Sequence, residues 1–276
     1  LPVVNRVIND NHKIMENKSQ KMPVLFAGHG NPMNAIDDNK FTQAWHRLGE
    51  SIPRPKAILS ISAHWETQGT FITAMPTPRT IHDFGGFPRA LFNVEYPAVG
   101  NPELASQISR TMKGQAAGLD ETEWGLDHGT WSVLVHMYPQ ADIPVIQMSL
   151  NRYMTPRQHY ELAQEMRYLR NEGVLIMGSG NMVHNLPEVD WQNPHSGYDW
   201  AHEVDEKLKT SISNHDHNRL IDFRGQGPEF RLAIPTAEHY LPLMYVIGLQ
   251  DEEDEISFFN EEICMGSLSM TGVMLK

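Results

Sequence analysis

Apolar residues cluster along the chain in short β-type runs, with helix-like stretches between them. Val24–Ala27, Ala57–Ala63, Phe71–Ala74, Pro144–Leu150, Val174–Gly178 and Ser267–Leu275 form the runs and predict strands. Thr42–Ser51, Glu103–Gly114, Thr130–Met137, Pro156–Asn171, Trp200–Ser213 and Tyr240–Leu249 predict helices. Alternation of this kind predicts an α/β fold, with a mainly parallel central sheet and helices on both faces. The polar, glycine-containing segment 213–230 reads as a long surface loop, and the acidic stretch 249–257 as a solvated turn. No internal repeat or low-complexity linker divides the chain, so one domain is expected over 23–276. Residues 1–22 are polar and mixed, lack the apolar segment of a signal peptide, and are expected to form an outer arm or short helix.

Composition narrows the function. Of the 276 residues, 40% are hydrophobic and 20% charged, enough apolar material for a substantial core. A net charge of −12 argues against nucleic acid and against anionic membrane surfaces, both of which need Lys and Arg. No apolar run approaches the roughly 18 residues of a membrane-spanning helix. Cys264 is the only cysteine, which excludes an intrachain disulfide framework, a zinc finger and a CxxC redox pair. A reducing, cytoplasmic location fits.

The 14 histidines draw attention by where some of them fall. "VLFAGHG" ends a strand in His29, "AILSISAHW" ends one near His64, and "VLIMGSGNMVHNL" carries His184 just past another. Ligands of open α/β sheets bind outside the carboxyl ends of the strands. One helix-like stretch separates His29 from His64, so their strands are expected to be neighbours in a βαβ unit, with both imidazoles on one ion or, alternatively, hydrogen-bonded in the core. Gly28 and Gly30 would let the chain turn and aim His29 at that ion. A third ligand is offered by Glu238 and His239 in "PTAEHYLPLMYVIG", or by His184. "LDHGTW" adds Asp127 and His128, and "IHDFGGFP" adds His82 and Asp83. Other motifs fail. "GHGNPM" and "GSGNMV" lack the third glycine of a dinucleotide fingerprint, no HExxH occurs, and Ser179 is not in a GxSxG elbow.

Five segments, "LFAGHGNPMNAI", "SAHWETQGTFITAMPTPRTIHDFGGFP", "WGLDHGTWSVLVHMYPQADIPVIQMSL", "GSGNMVHNL" and "PTAEHYLPLMYVIG", occur in an order that resembles the class III extradiol ring-cleavage dioxygenases, in their 4,5-DOPA dioxygenase extradiol-like branch. The resemblance runs from about Met22 to the C-terminus. It implies a single α/β domain with a central mainly parallel mixed sheet, a metal site at the carboxyl edge of the strands, and a non-haem Fe(II) that opens a catechol ring with O2. His29 and His64 match the first two metal histidines. The third ligand falls in "AEHY", where His239 is preferred and Glu238 is the alternative. His184 matches a histidine beside the metal that serves as acid/base or reaches the ion, and His128 a second active-site histidine suited to proton transfer or substrate contact. His82 is a further candidate for substrate contact or for organising its loop.

Zn(II) is expected in purified or crystallised protein, because it outranks Fe(II) in general affinity for such ligands. The other readings are a zinc-dependent hydrolase and a non-catalytic binding protein on the same fold. The expected partners are a small-molecule catechol and O2, and a homo-oligomer is compatible with the pattern.

Overall fold

The computed structural model describes residues 21–114 and 116–276, so the predicted arm lies, up to residue 20, outside the described residues. Ten strands follow in chain order. They are β1 (Val24–Gly28), β2 (Ala57–Thr67), β3 (Phe71–Thr73), β4 (Gly118–Asp120), β5 (Val145–Asn151), β6 (Val174–Gly180), β7 (Ile256–Phe259), β8 (Ile263–Cys264), β9 (Leu268–Ser269) and β10 (Gly272–Leu275). Eight of them form one sheet in the order β4-β3-β5-β2-β6-β1-β10-β7, and β8 pairs with β9 alone. β5, β2, β6 and β1 run parallel at its centre. β10 and β7 extend one side antiparallel, and β3 pairs antiparallel with β5 on the other.

The central strands are buried on both faces, and their side chains sort strictly by parity. Val24, Phe26, Leu59, Ile61 and Ile176 join one core with the helices Pro102–Thr111, Pro156–Glu165, Asp199–Ser213 and Leu241–Gly248. Leu25, Ala27, Ile58, Leu175 and Met177 join the other with Lys40–Ser51 and His128–Met137. Trp45 and Trp131, both fully buried, anchor that second layer. Every residue of Leu241–Gly248 is buried. At about 1.5–3 kcal/mol per large apolar side chain, helices like this one hold the layers to the sheet.

The helices start where local chemistry starts them. Asn39 and Thr155 each make a capping box, and Pro156 opens its helix without wasting an N–H. Asp127 caps His128–Met137, which fixes His128 in the first turn.

Several expected elements differ. The strands of His29 and His64 are not neighbours, because β6 lies between β1 and β2. Pairing of distant segments is set by the whole sheet, and it overrides the local βαβ spacing. The expected strand Ser267–Leu275 breaks into β9 and β10, since Ser269 and Thr271 turn their hydroxyls onto the buried Asp205 carboxylate, at 2.6 and 2.9 Å. The helix from Pro156 ends at Glu165 and continues as a 3-10 turn, Arg167–Arg170. The 213–230 loop contains the short helix His217–Ile221 and runs into a second, Pro228–Ala233, and the acidic turn leads into edge strand β7.

Candidate metal centre

Five imidazoles meet at the carboxyl edge of the sheet. His29 follows the last residue of β1, where its N–H bonds the Gly180 carbonyl at 3.1 Å. Gly30 takes φ +63°, a left-handed turn that L side chains resist, and it carries the chain away from the site. His64 lies in β2 where its register against β5 shifts, between Ile61 and Glu66, and past Ser62, the last residue paired with β6. β6 ends in Gly178, Ser179 and Gly180, too small to keep the two imidazoles apart. The Nε2 atoms of His29 and His64 are 3.1 Å apart, across an intervening strand. A Cβ at Gly180 would strike the His239 carbonyl, and the Asn181 N–H bonds that carbonyl at 2.9 Å. The small end of β6 therefore also brings in His239.

The donor atoms form two groups, His29 with His64 and His128, and His184 with Glu238 and His239, each with all its atoms within 4.8 Å of one another. The groups adjoin. The His239 ring centroid is 5.3 Å from that of His29 and 5.0 Å from that of His64, and His184 stacks on His239 at 3.6 Å. Of the "AEHY" pair, His239 lines the cavity beside the other imidazoles, while Glu238 accepts the Thr236 hydroxyl at 2.7 Å.

Hydrogen bonds assign the tautomers of His29 and His128, and the Asp83 charge biases that of His64. Ser179 Oγ donates to the Gly129 carbonyl at 2.5 Å, so it accepts the Nδ1–H of His29 at 3.0 Å. That leaves the Nε2 lone pair of His29 facing His64. The Nδ1 of His64 lies 3.6 Å from the Asp83 carboxylate, which favours the proton there and a lone pair on Nε2. In that tautomer two lone pairs meet at 3.1 Å and a shared cation relieves them, whereas a proton on His64 Nε2 would make the same contact a hydrogen bond. Metal–imidazole bonds of about 2.0–2.1 Å in a tetrahedral site put neighbouring ligand nitrogens about 3.3 Å apart, so the donor set fits a metal.

Burial, and then the neighbouring imidazoles, hold His29 and His239 well below the ordinary histidine range. Burial likewise pushes His64 down to about 3 and His184 to about 4. All four are held neutral, the form that binds a metal.

Asp83 organises the second side of the site. Its Oδ1 accepts the backbone N–H of His128 and its Oδ2 accepts Nδ1–H of the same residue, both at 2.9 Å. Burial pushes the Asp83 carboxyl up, but these bonds outweigh it and the net shift is downward. The Nε2 of His128 keeps its lone pair. Behind it, Asp127 accepts Ser62 Oγ at 2.7 Å and is also bonded by Gln147. Burial, and then Asp83, raise Asp127 to about 6.

The imidazoles line a cavity of about 320 Å³ with Phe87, Leu186 and Trp191 at its apolar wall. Leu186 and Trp191 are 57% and 73% exposed, marking the mouth. Asn181, 1% exposed, also lines it. Its Nδ2 donates to the Ser269 carbonyl at 2.7 Å, and its Oδ1 has no partner among the described residues. A buried acceptor left this way points to a polar ligand. His82 is not part of this wall, and its Nε2 bonds the Val94 carbonyl at 2.9 Å. Trp65 stacks on Trp124 away from the imidazoles, and Trp131 donates to the Ile81 carbonyl at 2.8 Å.

Comparison with known proteins bears on what this edge does. Residues 22–271 match the family described as the catalytic LigB subunit of aromatic ring-opening dioxygenase. The chain belongs to this family. LigB proteins are metal-dependent extradiol ring-opening dioxygenases, and that activity displaces the hydrolase and binding-protein alternatives. A 4,5-DOPA dioxygenase extradiol of Escherichia coli K12 is 45% identical over 93% of this chain and 96% of its own. One of Beta vulgaris is 37% identical over 89% and 93%. The crystal structure of an uncharacterized Escherichia coli K12 protein superposes with a TM-score of 0.82 at 40% identity, covering 93% of this chain and all of that one. Among the described residues, no helix is long and apolar enough to cross a membrane.

Proposed function

We propose that this LigB-family enzyme opens the ring of a DOPA-like catechol with O2, using Fe(II) held by His29, His64 and His239, with His184 beside them. The facing Nε2 atoms of His29 and His64, 3.1 Å apart with their protons drawn to the opposite side of each ring, carry the reading. Three neutral imidazoles leave positions open on an iron ion, as the 2-His-1-carboxylate triad does. When bound, iron supplies the redox chemistry that joins a catechol to O2.

The remaining work falls to the protein. His128, with Nδ1 tied to Asp83, offers the Nε2 lone pair as base for a catechol hydroxyl proton. Protonated, it becomes an imidazolium stabilised by Asp83 and can return the proton later. Asn181 Oδ1 accepts from a substrate hydroxyl and so removes its own desolvation penalty of about 1–3 kcal/mol. Phe87, Leu186 and Trp191 flank the ring and exclude water.

The relatives named 4,5-DOPA dioxygenase extradiol support a DOPA-like substrate. The test is O2 uptake by anaerobically Fe(II)-loaded protein on L-DOPA and simple catechols, against a Zn(II)-loaded control. Uptake with Fe(II) alone is expected. No uptake with stoichiometric iron and any catechol would overturn the proposal.

A further inference from the structure

A second chamber, also about 320 Å³, adjoins the metal cavity and shares Gly30, Asn31, Met265 and Leu268 with it. Its floor is buried and largely apolar, with Phe41, Cys264 and Met270. Its rim is exposed and carries Asp37 and His195. Asp37 is the one carboxylate on the walls of the two chambers, and among the described residues no Lys or Arg lines either. The nearby Lys40 is tied to Glu262, which sits 3.9 Å from the Cys264 sulfur. That ion pair engages the Lys40 ammonium, and Arg47 lines a neighbouring surface cavity with Asp37 rather than either chamber.

We infer that this side chamber receives the non-reacting tail of the substrate, and that Asp37 selects a tail ending in an ammonium over one ending in a carboxylate alone. The inference rests on the catechol reading of the metal cavity. With the ring among the imidazoles, a tail directed to the side where the chambers share Gly30 and Asn31 points its charge towards the Asp37 rim. An ammonium there meets the Asp37 carboxylate. A lone carboxylate meets like charge, and among the described residues no Lys or Arg lines either chamber to receive it.

The test compares kcat/KM of the Fe(II)-loaded enzyme for dopamine, 4-methylcatechol and 3,4-dihydroxyphenylpropionate, which present positive, neutral and negative tails. We expect that descending order, with dopamine about tenfold above the propionate, and a gap that narrows as salt is raised. In Asp37→Asn the ratio of dopamine to 4-methylcatechol should fall about fivefold, the upper range for one exposed charge pair. Asp37→Lys should invert the order of the charged tails. A flat order in the wild-type enzyme, or a ratio that both variants leave constant, overturns the inference while turnover of 4-methylcatechol still upholds the ring-opening reading. Failure to turn over any of the three while L-DOPA is still opened overturns the inference alone, and failure with L-DOPA as well removes both.

Discussion

Replacing Asp83 by Asn tests how the site prepares its base. The two side chains have the same shape, so the cavity is preserved. The amide oxygen can still accept the His128 N–H, now held at 2.9 Å by Asp83 Oδ1. The amide nitrogen then faces Nδ1 of His128 as a donor, where the carboxylate had accepted at 2.9 Å. The imidazole must move its proton to Nε2, and the lone pair that faced the cavity is lost. A positioned general base contributes about 10²–10⁴ in rate, and an outer partner of an active-site histidine about 10–100-fold. We expect kcat to fall about 100-fold, or ~2.7 kcal/mol in barrier height. The assay is O2 uptake at saturating L-DOPA with iron measured in the same sample, because Asp83 also faces His64 at 3.6 Å and its loss will weaken metal binding. Asp83→Asn in a His128→Ala background should add almost nothing, since both changes remove one function. A single variant within twofold of wild type at full iron occupancy, or additive losses in the double variant, would mean that Asp83 does not act through the His128 tautomer.

His29→Ala and His64→Ala should each lose stoichiometric iron in equilibrium dialysis while keeping a wild-type circular dichroism spectrum; full occupancy in either would remove that residue from the ligand set. Asn181→Leu leaves a substrate hydroxyl unpaired, and a KM raised about 5–10-fold with little change in kcat is the expected signature of lost uniform binding. Arg170, fully buried, grips Asp254 with two bonds of 2.7 and 2.8 Å. Burial raises the Asp254 carboxyl, but the bonds from Arg170 and Lys21 outweigh it and hold it at about 2. A depressed folded-state pKa contributes stability that is complete above the unfolded value and lost as pH falls through the folded one, so this pair should weaken between about pH 4 and pH 2. Asp254→Asn should cost about 3–5 kcal/mol at pH 7 in urea unfolding, with the difference from wild type shrinking towards pH 2.

The strand cores and the histidines at their ends were legible because both are local features. Four consecutive apolar residues before "GHG" can do little but form a buried strand, and the strand-end rule then points to His29 and His64. The order of strands was not legible. Nothing near residues 24–64 reveals that β6, more than 100 residues later, inserts between β1 and β2. The Asp83–His128 pair and the Ser179 bond to His29 escaped for the same reason, since each joins distant segments. Leu186 and Trp191 lie just past "NMVHN" in a polar stretch, and only the folded chain shows them at the mouth of the cavity. Asn181 carried a usable signal. A small-residue strand end followed by an amide, three residues before a candidate site histidine, is a place to look for a substrate acceptor.

Both atoms of O2 are expected to enter a catechol at this metal edge. Ring opening of L-DOPA by the Fe(II)-loaded enzyme under ¹⁸O2 in ordinary water, read by mass spectrometry before the product exchanges oxygen, tests it directly. A ring-opened product carrying two labelled oxygens, absent from the His64→Ala variant, is the predicted result. A product whose new oxygen comes from water, or an intact ring oxidised to a quinone, would contradict it.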